Sequence, residues 1–169
     1  MGIAHVEQPR TIGWTRAGMT RPDLDTWALD GAEWMARRSK DPNHRVGAII
    51  LRPDGTLVSG GYNGFPRGVD DAPALYADKP TKRRRIQHAE RNAINFARES
   101  LEGCTIYISP LSPCSQCAGS IINAGLKRVV ARVTPGAAAH WQDSFAEAAD
   151  MLAEAGVEVI LVDTAPSPA

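Results

Sequence analysis

Residues 86–99 read IQHAERNAINFARE, and residues 113–118 read PCSQCA. The first stretch has a helical period. Ile86, Ala89, Glu90, Ala93, Ile94 and Ala97 share one face, and Arg91, Asn92, Asn95 and Arg98 the other, which predicts a helix over 86–99. Glu90 thus falls on the apolar stripe. A buried carboxylate is expensive unless something there needs it, so its placement hints at a site. In the second stretch Cys114 and Cys117 stand three apart, and in the first turn of a helix over 114–124 both thiols face one way. One histidine and two cysteines, His88, Cys114 and Cys117, form a donor set suited to zinc with a fourth position open to water. Both stretches open helices, whose positive dipole ends favour thiolates. Glu90, two residues past the histidine, can reach that water without ligating the metal. Burial raises a carboxyl pKa toward neutrality, which lets the group take a proton and hand it on. A purely structural zinc would want four protein ligands, and the remaining cysteine, Cys104, reads as a small buried hydrophobe at a strand edge.

Outward from these stretches, strands alternate with helices. Leu24, Trp27, Ala28, Gly31 and Met35 recur at three- and four-residue steps, with acids at the start and Arg37, Arg38 and Lys40 at the end. That predicts a helix over 23–38, broken by Asp41-Pro42-Asn43, with Trp27 and Trp34 in core or interface packing. Residues 46–51 and 56–59 form a hairpin about Pro53-Asp54-Gly55. Residues 60–68 are too rich in glycine for the interior of an element, and they open a long connection to Gln87. Connections of that length are functional or disordered, and this one leads straight into His88, which favours function. Residues 105–108, 129–133 and 157–162 read as strands, and 140–155 as a helix closed by Gly156. The alternation predicts an α/β sandwich around a mixed sheet. It is expected as a single domain over 22–163, between an irregular arm (1–21) and a proline-rich, frayed tail (164–169).

Composition narrows the function classes. The chain has 169 residues, 43% of them hydrophobic, enough for one ordinary core. With 19 basic and 19 acidic residues the net charge is zero, which argues against a nucleic-acid partner. Three cysteines are no disulfide framework, and they fit a reducing, cytoplasmic setting. No run approaches the ~20 apolar residues of a membrane helix.

Three weaker signals stand beside the motif. Lys82-Arg83-Arg84-Arg85 precedes a helix start and could hold a phosphate, though a solvated face is the plainer reading. Asn63, bracketed by glycines, suits either a sugar hydroxyl or a turn with positive φ. His5, His44 and His140 have no ligand partner at a meaningful spacing, so surface or capping roles are expected.

The chain resembles the deoxycytidylate (dCMP) deaminase family of the cytidine deaminase fold. The likeness runs over residues 25–162 and rests on SKDP (39–42) with RVGA (45–48), GYNGFPRG (61–68), HAERNAI (88–94), GCTIY (103–107) and PCSQCA (113–118). The H-x-E…P-C-x-x-C pattern is the general signature of zinc nucleobase deaminases, and the Tyr62-Asn63-Gly64 loop points to the deoxycytidylate branch. The resemblance implies a three-layer α/β/α fold with a five-stranded mixed sheet in the order 2-1-3-4-5. It implies one zinc per subunit on His88, Cys114 and Cys117, with Glu90 as proton shuttle. The Ala89 backbone would meet the pyrimidine carbonyl, Asn63 the deoxyribose, and Arg45 with Ser39 and Lys40 the 5′-phosphate. The implied reaction is hydrolysis of dCMP to dUMP and ammonia, feeding dTMP synthesis. A homo-oligomer, with a hexamer favoured, is implied too. So are dCTP and dTTP effectors accompanied by magnesium, with residues 60–71 as the place to look for them.

Rival functions follow from the same residues. A deaminase of free cytosine nucleosides would need no phosphate clamp at Arg45, and a deaminase of modified cytosine nucleotides is a further rival. A tRNA adenosine deaminase shares the look of residues 114–120, but it lacks the long 64–87 connection and fits poorly with zero net charge. A catalytically idle zinc protein has no use for Glu90 on an inward face.

Overall fold

The computed structural model describes residues 21–134 and 141–163, together with the backbone of residues 4–5. Six strands, β1 (Ala4–His5), β2 (Gly47–Leu51), β3 (Leu57–Tyr62), β4 (Thr105–Ser109), β5 (Arg128–Val133) and β6 (Glu158–Asp163), form one sheet in the order β1-β6-β5-β4-β2-β3. β2 runs antiparallel to β3 and β4, whereas β4, β5, β6 and β1 run parallel. Counted from the hairpin, the last five strands follow the expected order 2-1-3-4-5. β1 adds a sixth at the β6 edge, inside the segment expected to be irregular. The rest of that arm up to residue 20, His140 and the 164–169 tail lie outside the described residues.

Alternation along the strands builds two cores. Ile49, Leu51, Tyr107 and Val130 point to one face, where α1 (Leu24–Ala36) covers them with Ala28, Leu29 and Ala32. Ala48, Ile50, Ile106, Ile108, Val129 and Ala131 point to the other, against α4 (Ala89–Phe96), α5 (Ser115–Asn123) and α6 (Gln142–Glu154). β2 is apolar throughout because it is buried on both sides. Asp23 caps α1 by accepting from the Thr26 amide.

Two expectations need correction, and one alternative is resolved. β3 extends through Gly60 and Gly61 to Tyr62. A Cβ at Gly61 would collide with the backbone of α4 at Ala89 and Ala93, so glycine is what lets that helix lie on the strand. The connection after it is not structureless: it holds α2 (Pro73–Ala77) and α3 (Lys79–Arg85), with Phe65 stacked on Tyr76 at 4.3 Å. Trp27 and Trp34 are not in the core, being 50% and 69% exposed on the outer side of α1. Cys104 is buried beside β4, in line with the reading as a small hydrophobe. No helix among the described residues is long and apolar enough to cross a membrane.

Candidate active site

α4 begins later than its period suggests, because Gln87 is held as a strand-like bridge. It exchanges backbone hydrogen bonds with Gly64 at 2.8 and 3.0 Å, which leaves His88 as the N-cap of α4. The Asn92 side chain donates to the Tyr62 carbonyl at 2.8 Å and Ser59 donates to the Ala93 carbonyl at 2.7 Å, so α4 is tied to β3 along its length. Cys114 is the N-cap of α5, with Cys117 in its first turn. α5 is in turn tied to α6, since the Ser115 amide donates to Ser144 Oγ at 3.1 Å.

These two helix starts bring His88, Cys114 and Cys117 together, with donor atoms all within 4.8 Å of one another. His88 Nδ1 lies 3.4 Å from Cys114 Sγ and 3.3 Å from Cys117 Sγ, so the imidazole presents the same nitrogen to both sulfurs. Among the described residues no second group of three ligating side chains gathers in this way. The electrostatics of the set suit a cation. The Cys117 thiol and the His88 imidazole hold the Cys114 thiol far below its ordinary range. The Cys114 thiolate in turn pushes Cys117 up, and it raises His88 against the opposing effect of burial. Two adjacent sulfurs cannot both ionise without compensation, and a dication between them supplies it. Three soft or borderline donors at two helix starts therefore fit zinc.

Glu90 follows His88 in the first turn of α4 and is 4% exposed. Burial raises its pKa, and the neighbouring His88 opposes that. Glu90 is thus buried on the inward stripe of α4, within electrostatic reach of His88 and Cys114. Trp141, at the entrance to α6, faces His88 edge-on with ring centroids 6.4 Å apart; nothing in the motif spacing marked it.

The expected substrate residues meet around one buried carboxylate. Asp41, 1% exposed, accepts from Lys82 Nζ at 2.8 and 2.6 Å and from the Asn43 and His44 amides. The Asn63 side chain accepts from the Val46 amide at 2.8 Å and donates to the His44 carbonyl at 2.7 Å, so it locks this loop to the end of β3. Ser39 Oγ donates to the Asn63 carbonyl at 2.8 Å. Arg45 is exposed and donates through Nε to the Asp41 carbonyl at 3.4 Å. Lys40 is drawn away to Asp71 at 2.7 Å. Ser39, Asn63 and Arg45 are therefore assembled with Asp41, whereas Lys40 is paired with Asp71 instead. Lys82 is internal, unlike the exposed Arg83, Arg84 and Arg85, so the basic cluster is not one solvated face.

The model for the cytidine and deoxycytidylate deaminase zinc-binding region matches residues 22–133. A protein of Aliivibrio fischeri named an uncharacterized deaminase in the luxG 3′ region is 40% identical over 140 residues, 80% of this chain and 93% of that protein. The deoxycytidylate deaminase of Homo sapiens is 42% identical over 101 residues, 56% of each chain. The chain thus spans little more than half the length of that relative. The crystal structure of dCMP deaminase from the cyanophage S-TIM5 in apo form superposes with a TM-score of 0.64 at 26% identity, covering 84% of this chain and 99% of the phage protein.

Proposed function

The chain belongs to the cytidine and deoxycytidylate deaminase zinc-binding family, and from that premise we propose that it hydrolyses dCMP to dUMP and ammonia. The observation that carries the proposal is a buried Glu90 set against the His88, Cys114 and Cys117 donor cluster. Those three residues would hold zinc, and the chemistry zinc supplies at such a site is activation of water at neutral pH. Glu90 takes the proton released by that water and passes it to the ring nitrogen of cytosine. It then carries a second proton to the departing amine, so that one water enters and one ammonia leaves. Burial raises the Glu90 pKa, which suits a group that must accept and then donate. The Ala89 amide, in the first turn of α4, has no carbonyl of its own helix to serve and is free to meet the pyrimidine carbonyl.

The 5′-phosphate falls to Arg45, whose terminal guanidinium nitrogens make no hydrogen bond or ion pair among the described residues. Ser39 and Asn63 shape the loop that carries it: the buried Asn63 amide is committed to Val46, His44 and Asp41, so it serves the deoxyribose by placing this loop, while Lys40 stays paired with Asp71 at its edge. The resemblance to the deoxycytidylate branch supports a homo-oligomer, hexameric, with dCTP and dTTP as effectors carried with magnesium. The need for two thiolates supports a reducing, cytoplasmic setting.

The test is ammonia release by the zinc-loaded protein on dCMP, CMP, deoxycytidine and cytidine, with and without dCTP. Preference for dCMP is expected, and activity confined to the nucleosides would discard the phosphate clamp. Glu90→Gln should lose turnover by at least about 100-fold with zinc content intact. Undiminished turnover in that variant would overturn the mechanism.

A further inference from the structure

The side of α1 turned away from the sheet is not a polar face. Ala28, Leu29, Ala32 and Ala36 are buried against the strands. At ~3.6 residues per turn the opposite stripe reads Trp27, Asp30 with Gly31, and Trp34, with the N-cap Asp23 before it and Arg38 in the turn after it. Its steps of three and four residues are those of a helix-packing seam, on a helix whose other side is already in use. The two indoles, 50% and 69% exposed, leave on the order of 300 Å² of aromatic surface open to water. Asp30 within the stripe and Glu33 beside it both bind Arg132, at 2.7 and 2.8 Å, so their charges are paired within the chain.

The stripe is palindromic in character, running acid, indole, centre, indole, base. We propose that it docks a second copy of this chain, with the two α1 helices antiparallel about a twofold axis between Asp30 and Gly31. Each Trp27 then lies beside Trp34 of the other copy, about 10 Å along the helix from the second such pair. Each Asp23 meets Arg38 of the other copy, and Arg38 has no ion-pair partner within its own chain among the described residues. The alternative parallel packing sets acid on acid and base on base. An isologous contact repeats every interaction twice. The indoles supply more than a third of the ~800 Å² per partner that a stable interface needs, and the helix flanks supply the rest.

The inference goes beyond the catalytic reading and is separable from it. Sedimentation velocity over a concentration series, on the zinc-loaded protein, should show wild type passing reversibly through a dimer. Trp34→Gln should weaken that step by at least about 30-fold, because truncating a central interface tryptophan is typically that costly and here it occurs twice. Arg38→Glu should weaken it about 10-fold, with the deficit shrinking in high salt. Trp34 is on the exposed side of α1 and Arg38 in the exposed turn after it, and circular dichroism is expected to report an unchanged fold. Assembly that is identical in wild type and Trp34→Gln would overturn this interface while leaving oligomerisation through another face intact. A monomer at every concentration would overturn both, and one with blue-shifted tryptophan emission would show that the chain covers the stripe itself.

Discussion

Replacing Lys82 with methionine tests how the loop at the site is held. Lys82 Nζ faces both oxygens of Asp41, at 2.8 and 2.6 Å, with side-chain exposures of 15% and 2%. Methionine keeps most of the aliphatic stem and removes the charge. Asp41 would retain the Asn43 and His44 amides at 2.9 and 3.2 Å, and the Asn63 amide at 3.5 Å. Breaking a buried pair from one side costs about 3–5 kcal/mol, and the surviving N–H donors put this case near the lower end, about 3 kcal/mol. In a chain of this size each 1 kcal/mol lowers Tm by about 2–4 °C, so a loss of roughly 6–12 °C is expected. Thermal and urea unfolding of the zinc-loaded protein measure it. The double variant Asp41→Asn with Lys82→Met should recover part of the loss, because the stranded charge is gone. The same carboxylate orders the segment bearing Arg45, so KM for dCMP should rise more than kcat falls. A shift below about 0.5 kcal/mol, or a double variant no better than the single one, would refute the argument.

Two further outcomes follow from the packing. Gly61→Ala should cost about 1–3 kcal/mol and lower zinc content, because the new methyl meets the α4 backbone beside His88; normal melting with full zinc content would deny the close approach. Acid should weaken the attachment of α1 to the sheet through Asp25. Arg128 binds Asp25 at 2.7 and 2.8 Å and holds its carboxyl below the ordinary range, so the folded state binds this proton less readily than the unfolded one. Its stabilisation is complete above the ordinary carboxylate value and is lost as pH falls through the lower folded value. Urea midpoints between about pH 5 and 2 should therefore fall more steeply in wild type than in Asp25→Asn.

Each half of the ligand set was legible in the sequence because its geometry is local, and the zinc deaminase signature joined the halves across 26 and 29 positions. A spacing of two from His88 to Glu90 and of three from Cys114 to Cys117 each lies within one helical turn, so residue order alone sets the facing. The apolar strands were legible too, since burial on both faces leaves continuous runs such as 47–51. What escaped was either short or distant. α2 and α3 have five and seven residues, too few to show a period. The Lys82–Asp41 pair spans 41 positions and the Ser115–Ser144 pair 29, and nothing in either neighbourhood announces the other. The tryptophans of α1 were left between core and interface packing for a further reason. An amphipathic pattern shows that apolar residues recur, but on a helix with two apolar stripes it does not say which stripe meets the sheet.

That division between local and distant also separates chemistry from specificity. His88, Cys114, Cys117 and Glu90 occupy the first turns of two helices, α4 anchored on β3 through Gly61 and α5 tied to α6 through Ser115 and Ser144. The positions of these groups follow from backbone geometry and rigid packing, which preorganises a proton-transfer site. Arg45 and Asn63 sit on loops whose shape depends on Asp41, a residue of the loop between α1 and β2 held by a lysine from α3. Damage to that ion pair should therefore change which cytosine derivative is accepted before it abolishes deamination. Damage at either helix start should do the reverse.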